Sequence, residues 1–194
     1  MRTVVVSALF VPFLIVIVAM QTGCNKDNNP VTSGGNLFFS FTSNRGNFLA
    51  NGTFNDTVTS GSGAKGYRSS ANSITIIAYR FNSPSDVDVV ALILSSTNGL
   101  KTQTYQYGSS GTSALFLYAP HVNTSGTISI TEGYVLISGS VIVSSITSDH
   151  IQGTFSGTGF LSSNTSQTIS VTGGSFNTSY VMGSPKTEPW RLDE

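Results

Sequence analysis

Asp86-Val87-Asp88-Val89-Val90-Ala91-Leu92-Ile93-Leu94 is the stretch that decides the fold. Side chains of an extended chain alternate between its two faces. Val87, Val89, Ala91 and Ile93 make one row, and Asp88, Val90, Leu92 and Leu94 the other. Beyond Asp88 both rows are apolar, as in a strand covered on both sides. Residues 74–81 and 114–118 are two-sided runs of the same kind.

Moving outward, the pattern becomes one-sided. Ile128 and Ile130 alternate with Thr127, Ser129 and Thr131. Ile169 and Val171 alternate with Thr168, Ser170 and Thr172. Each apolar row belongs in a core and each hydroxyl row in water. The two segments echo each other, but two copies of so plain a pattern make similar strands and not a repeat array. Residues 134–146 form a long run with Gly139 inside it, which fits a bent strand or a hairpin. Asn51-Gly52 and Asn98-Gly99 are tight-turn signals. Helix formers are sparse, while β-branched and aromatic residues are frequent. The expected fold class is all-β: a single antiparallel β-sandwich, jelly-roll-like, with a β-barrel as the alternative.

Composition sets the outer limits. The 194 residues carry 9 Lys+Arg and 9 Asp+Glu, a formal net charge of zero. No bulk field draws nucleic acid, so no nucleic-acid partner is expected. Ser and Thr together number 54, and 39% of the chain is hydrophobic. That apolar share, with its spacing, argues for a folded core and against disorder. Cys24 is the only cysteine, so no internal disulfide can form. Stability has to come from burial and ladder hydrogen bonds.

The beginning of the chain reads differently. Arg2 is followed by residues 4–20, apolar except for Ser7 and Pro12, and then by Gln21-Thr22-Gly23-Cys24. This segment resembles a bacterial lipoprotein signal, helical in the precursor: a positive start, an apolar centre, then small residues before a cysteine. Thr22, Gly23 and Cys24 fit the last three places of that pattern, and Gln21 departs from the aliphatic first place. The resemblance implies cleavage before Cys24 and acylation of its thiol. An uncleaved anchor is the competing reading, but a spanning helix needs ~20 apolar residues. Each buried acyl methylene contributes ~0.8 kcal/mol, so several chains hold firmly where one is marginal. The expected organisation is signal 1–23, tether 24–35, all-β domain 36–182 and tail 183–194. Asn, Asp, Pro, Ser and Gly dominate the tether and offer little to bury. Lys26-Asp27 is only weakly similar to a surface-routing tag.

A second resemblance rests on short motifs: residues 126–131 (GTISIT), Ile151-Gln152-Gly153-Thr154-Phe155-Ser156, and residues 169–176 (ISVTGGSF). Together with Phe48-Leu49-Ala50-Asn51-Gly52 they resemble an all-β lipoprotein family of unknown function from Bacteroidota. Phe54 stands where that family often has Trp. The resemblance implies a fold and a place in the bacterial cell envelope, as an outer-membrane lipoprotein facing the periplasm or the cell surface. It carries over no catalytic residue.

Sites are thinly signalled. His121 and His150 have no second ligand at zinc spacing. His150 follows Asp149 and reads as a turn neighbour. Asp86 and Asp88 share one side of a strand, a geometry able to hold calcium, yet the Ca-loop pattern is missing. A glycosidase needs two carboxylates across one bond, and Asp56, Asp86, Asp88, Glu132 and Asp149 cannot be paired from sequence. No Gly-x-Ser-x-Gly elbow is present, and Gly157-Thr158-Gly159 precedes no helix. Neither a metal, a cofactor nor a catalytic residue is therefore assigned.

Tyr105 and Tyr107 point the same way from one short strand, with Tyr118 and Tyr134 as further aromatics. Exposed, the pair would stack on sugar rings as ligand contacts. Buried, they would fill the core edge with their hydroxyls in water, which is the reading favoured here. Five Asn-x-Ser/Thr triplets, at Asn51, Asn55, Asn123, Asn164 and Asn177, are what a Ser/Thr/Asn-rich chain contains anyway. Asp56-Thr57-Val58 fits a short O-glycosylation pattern, and Trp190 lies in the tail.

The function expected from these readings is non-catalytic: a lipid-anchored extracytoplasmic module that binds or scaffolds. The membrane is its partner through Cys24, and a glycan or an envelope protein is the second. Loops 82–86 and 108–113 would present polar groups at one end. The alternatives are a cell-surface carbohydrate-binding module, a hydrolase of glycans, and a closed barrel with an apolar ligand in an interior cavity.

Overall fold

A computed structural model describes residues 36–54, 60–124 and 132–183. They form ten strands: β1 Phe38–Ser43, β2 Gly46–Asn51, β3 Ser62–Ser70, β4 Ser73–Ser83, β5 Asp86–Ser96, β6 Thr104–Tyr107, β7 Thr112–Asn123, β8 Tyr134–Ile146, β9 His150–Leu161 and β10 Asn164–Met182. No helix occurs among the described residues, so none there is long and apolar enough to cross a membrane. The signal, Cys24, the tether, Asn55, Asp56-Thr57-Val58, Ile128, Ile130 and Trp190 lie outside the described residues.

All ten strands belong to one sheet, ordered β2-β1-β10-β3-β4-β5-β7-β6-β8-β9, with further pairings β10–β9 and β7–β8. Following the ladders β3–β4–β5–β7–β8–β9–β10 returns to β3, so the sheet wraps around its own core in a barrel-like way. Closure depends on β10. Its Ile169–Ser179 stretch pairs with β9 on one edge, while Tyr180–Met182 pairs with β3 on the other. The sheet is mixed: β10–β3 and β6–β7 are parallel, where the sequence reading expects antiparallel pairs throughout. Both exceptions are short, with three and two register partners; β10–β3 joins strands distant in sequence, whereas β6 and β7 are consecutive.

The alternation seen in the sequence is what fills the interior. Val90, Leu92 and Leu94 of β5, Ile74, Ile76 and Ala78 of β4, and Ile169 and Val171 of β10 point into one cluster. Aromatic rings complete it. Phe39–Phe155, Phe41–Tyr118 and Phe116–Phe155 centroids lie 5.1, 5.2 and 5.4 Å apart. These tilted and edge-on contacts stabilise beyond area burial alone. An apolar cargo needs a hollow; here rings occupy the middle.

The second row of β5 is buried too. Val87, Val89 and Ala91 join Ile77, Tyr79, Leu117 and Val135 in a cluster on the other face, and the Phe54 ring packs 4.9 Å from Tyr79. This is why residues 86–94 read as two-sided.

Residues 134–146 are one bent strand. Register shifts fall between Leu136 and Ser138 and between Val143 and Ser145. Gly139 opposes Gly157 with φ +104°, a conformation open to glycine and strained for other residues. A side chain there would meet the Ser156 carbonyl oxygen 2.3 Å from its Cβ.

Candidate functional site

Two regions concentrate polar chemistry. The first sits at the end of the barrel where β4 turns into β5. The Pro84-Ser85 turn sets the register that places Arg80 directly across from Asp88. Asp88 is only 2% exposed. Its Oδ2 takes the Arg80 Nη2–H, and its Oδ1 accepts from Asn82 Nδ2 at 2.9 Å and from the His121 backbone N–H at 3.0 Å. The last bond exists because β7 bulges: Val87 pairs with Val122 and Val89 with Ala119, leaving Pro120 and His121 looped opposite Asp88. His121 adopts φ +53°, the only positive value among the described non-glycine residues.

The His121 ring Nδ1 lies 3.0 Å from Asp86 Oδ2. That hydrogen bond is the main cause of a His121 pKa raised above the ordinary histidine value; burial opposes it, and the nearby Asp86 charge adds to the rise. Asp86, Asp88 and His121 thus offer ligand atoms all within 4.8 Å of one another. Both Asp88 oxygens are already engaged, however, so this carboxylate braces β4, β5 and β7 together.

Nearby, Tyr134 donates to Glu132 Oε2 at 2.9 Å, and the Arg45 guanidinium sits 5.4 Å from the Tyr134 ring centroid. Burial, aided by the hydrogen bond to Glu132, raises the Tyr134 pKa. Tyr118 is pushed far above the usual phenol range, first by burial and then by the Asp88 charge. Arg80 also covers the Phe48 ring at 5.5 Å and donates to the Asn47 carbonyl at 2.9 Å, tying the β1–β2 hairpin to this end.

Asp149 and His150 sit at the opposite end, in the turn between β8 and β9. His150 Nδ1 is 2.9 Å from Asp149 Oδ1, and this contact holds the Asp149 carboxyl below its ordinary value. The turn is closed by the Thr147 N–H donating to the His150 carbonyl at 2.9 Å. The four described carboxylates therefore divide: Asp86, Asp88 and Glu132 at one end, Asp149 at the other.

Two expectations need correction. Tyr105 and Tyr107 are not surface ligand contacts: they are 0% and 6% exposed and point into the main cluster. Thr104 and Gln106 take the outer side of β6, which leaves the tyrosines the inner one. The Tyr105 hydroxyl does not reach water either; it donates to the Lys101 carbonyl at 3.0 Å and accepts the Lys101 N–H at 3.1 Å. The Tyr107 hydroxyl has no hydrogen-bond partner among the described residues, and burial drives its pKa well above the phenol range. The second correction concerns the loops. β5 pairs Asp86 with Asn123 and Ser96 with Thr112, so loops 82–86 and 108–113 lie at opposite ends. The 11 residues of β5 separate them by about 33 Å at roughly 3.3 Å per residue.

The second region is the outer face of β8, β9, β10 and the β1–β2 hairpin, which the sequence reading does not single out. Register aligns Ile142, Thr154, Ser175, Ser40 and Leu49 as one row across five strands. Ser138, Thr158 and Ser170 make another. Not one Asp, Glu, Lys or Arg occurs in these five strands. A shallow groove of about 320 Å³ crosses the face, lined among others by Ser140, Ile142, Thr154, Ser156, Gly173 and Ser175. It exists because β10 slips register between Val171 and Gly174, and Gly173, at φ +60°, puts no side chain over the gap.

The chain matches no protein-family model, no curated protein and no solved structure.

Proposed function

We propose that this protein is a bacterial envelope lipoprotein, moored through acylated Cys24, whose β domain binds or scaffolds and performs no chemistry. The membrane anchor follows from the charged, apolar and small-residue order of residues 2–24. The resemblance to all-β Bacteroidota lipoproteins agrees with an outer-membrane location.

One observation carries the binding part: a broad outer sheet face, spanning five strands, that is uncharged yet rich in hydroxyl and amide groups. A soluble domain ordinarily spreads charge over its surface, about 25–35% of it. Here the described charges lie elsewhere, at the two barrel ends and on β3 and β4. Covering such a face requires no charge to be stripped of water, so a partner gains hydrogen bonds at low desolvation cost. The tight bracing of Asp88 supports a structural task for the one deeply buried carboxylate among the described residues.

Proteinase treatment of intact cells, combined with palmitate labelling of wild type and Cys24→Ala, tests the proposal. Labelled, membrane-bound wild type beside unlabelled variant supports it. Unlabelled protein in the cytosol refutes it.

A further inference from the structure

We infer that the groove across β8, β9 and β10 is a binding site for a neutral polysaccharide. This rests on the binding reading above and names the ligand class for the same face.

The groove floor and rims offer Ser140, Thr154, Ser156 and Ser175 hydroxyls on three adjacent strands. Each hydroxyl both donates and accepts, which suits a ligand whose own groups do both. Ile142, 50% exposed, stands beside Thr154 and gives an apolar surface where the C–H face of a sugar ring can rest. The volume, about 320 Å³, lies at the lower end for small-ligand sites, room for one or two sugar units. The groove is shallow and open to solvent, and flanking Thr158, Ser170, Gln152 and Asn177 extend the same chemistry along β9 and β10.

Charge selects among polar ligands. An anionic polymer, a phosphate or a carboxylate needs cations, and none stands on these strands. A peptide carrying Lys or Arg needs carboxylates, which are equally missing there. An uncharged polymer of hydroxyl groups is the partner whose charge matches. Aromatic stacking plays no part, because Tyr105 and Tyr107 face inward.

Affinity gel electrophoresis of the detergent-solubilised full-length protein tests this, in gels cast with β-glucan, mannan or dextran, and with polygalacturonate as the charged control. The expected result is retardation in at least one neutral gel and none in polygalacturonate. Thr154→Arg places a long cation in the groove and weakens apparent affinity about tenfold or more. Ile142→Ser weakens it less, and Lys65→Ala, on β3 and outside these strands, leaves it unchanged. Thr154 and Ile142 point outward, so thermal melting of both variants matches wild type. No retardation in any neutral gel, retardation only by polygalacturonate, or retardation indifferent to Thr154→Arg overturns the proposal. A dimer broken by Thr154→Arg, with no polysaccharide retained, also overturns it and assigns the face to a second copy. Failure here with Cys24 still labelled removes the ligand class alone; an unlabelled cytosolic protein removes the parent reading whatever the gels show.

Discussion

Replacing Asp88 with Ala removes the acceptor on which three strands converge. The change strands the Arg80 guanidinium, the Asn82 amide and the His121 N–H together. Breaking a buried ion pair from one side costs about 3–5 kcal/mol. Arg80 keeps 33% of its side chain in water and can turn outward, so the lower end, about 3 kcal/mol, applies. Against a domain stability of about 5–15 kcal/mol this is a large share. At roughly 2–4 °C per kcal/mol for a domain of this size, melting falls by about 6–12 °C. Asp88→Asn keeps one acceptor oxygen for Asn82 and the His121 N–H but loses the charge and turns an NH2 donor toward Arg80, so it costs about 1.5–3 kcal/mol. Urea titration and thermal melting followed by circular dichroism measure both. The order wild type, Asn, Ala is the expected one. An Ala variant within about 0.5 kcal/mol of wild type refutes the bracing role, since that is the ordinary surface effect.

Tyr105→Phe loses a hydroxyl bonded at both ends and destabilises by about 1–2 kcal/mol, whereas Tyr107→Phe, whose hydroxyl has no described partner, is neutral or stabilising by denaturant titration. Gly139→Ala combines a disfavoured φ with a Cβ 2.3 Å from a carbonyl oxygen and costs about 3 kcal/mol or more on the same assay; Gly52→Ala, with open space around it, costs only about 1–2 kcal/mol. The raised His121 pKa implies stability that is complete below the unfolded histidine value of about 6.5 and lost as pH rises through the higher folded value. His121→Asn, which tolerates the same backbone conformation, flattens that step in melts taken across neutral pH.

Strand identity was legible because alternation is local. Residues 168–172 and 86–94 state their faces within a few positions, and the structure places Ile169, Val171, Leu92 and Leu94 inside accordingly. Sheet closure was not legible, because it depends on β10 changing neighbours along its length. No local pattern marks where pairing with β9 gives way to pairing with β3. The Asp88 cluster was half legible: the Asp86 and Asp88 spacing was visible, but His121 arrives from β7 through a bulge 33 residues away. The tyrosine pair on β6 shares a side, as the spacing of two requires; which side depends on what surrounds it. The polar face on β8–β10 left a signal that could have been used, since residues 133–182 contain a single Asp and no Glu, Lys or Arg.

Acylation of Cys24 tests the central claim most directly. Intact-mass measurement of the protein purified from membranes should find a chain beginning at residue 24 and carrying acyl groups. A full-length chain with residues 1–23 attached and an unmodified thiol contradicts the account.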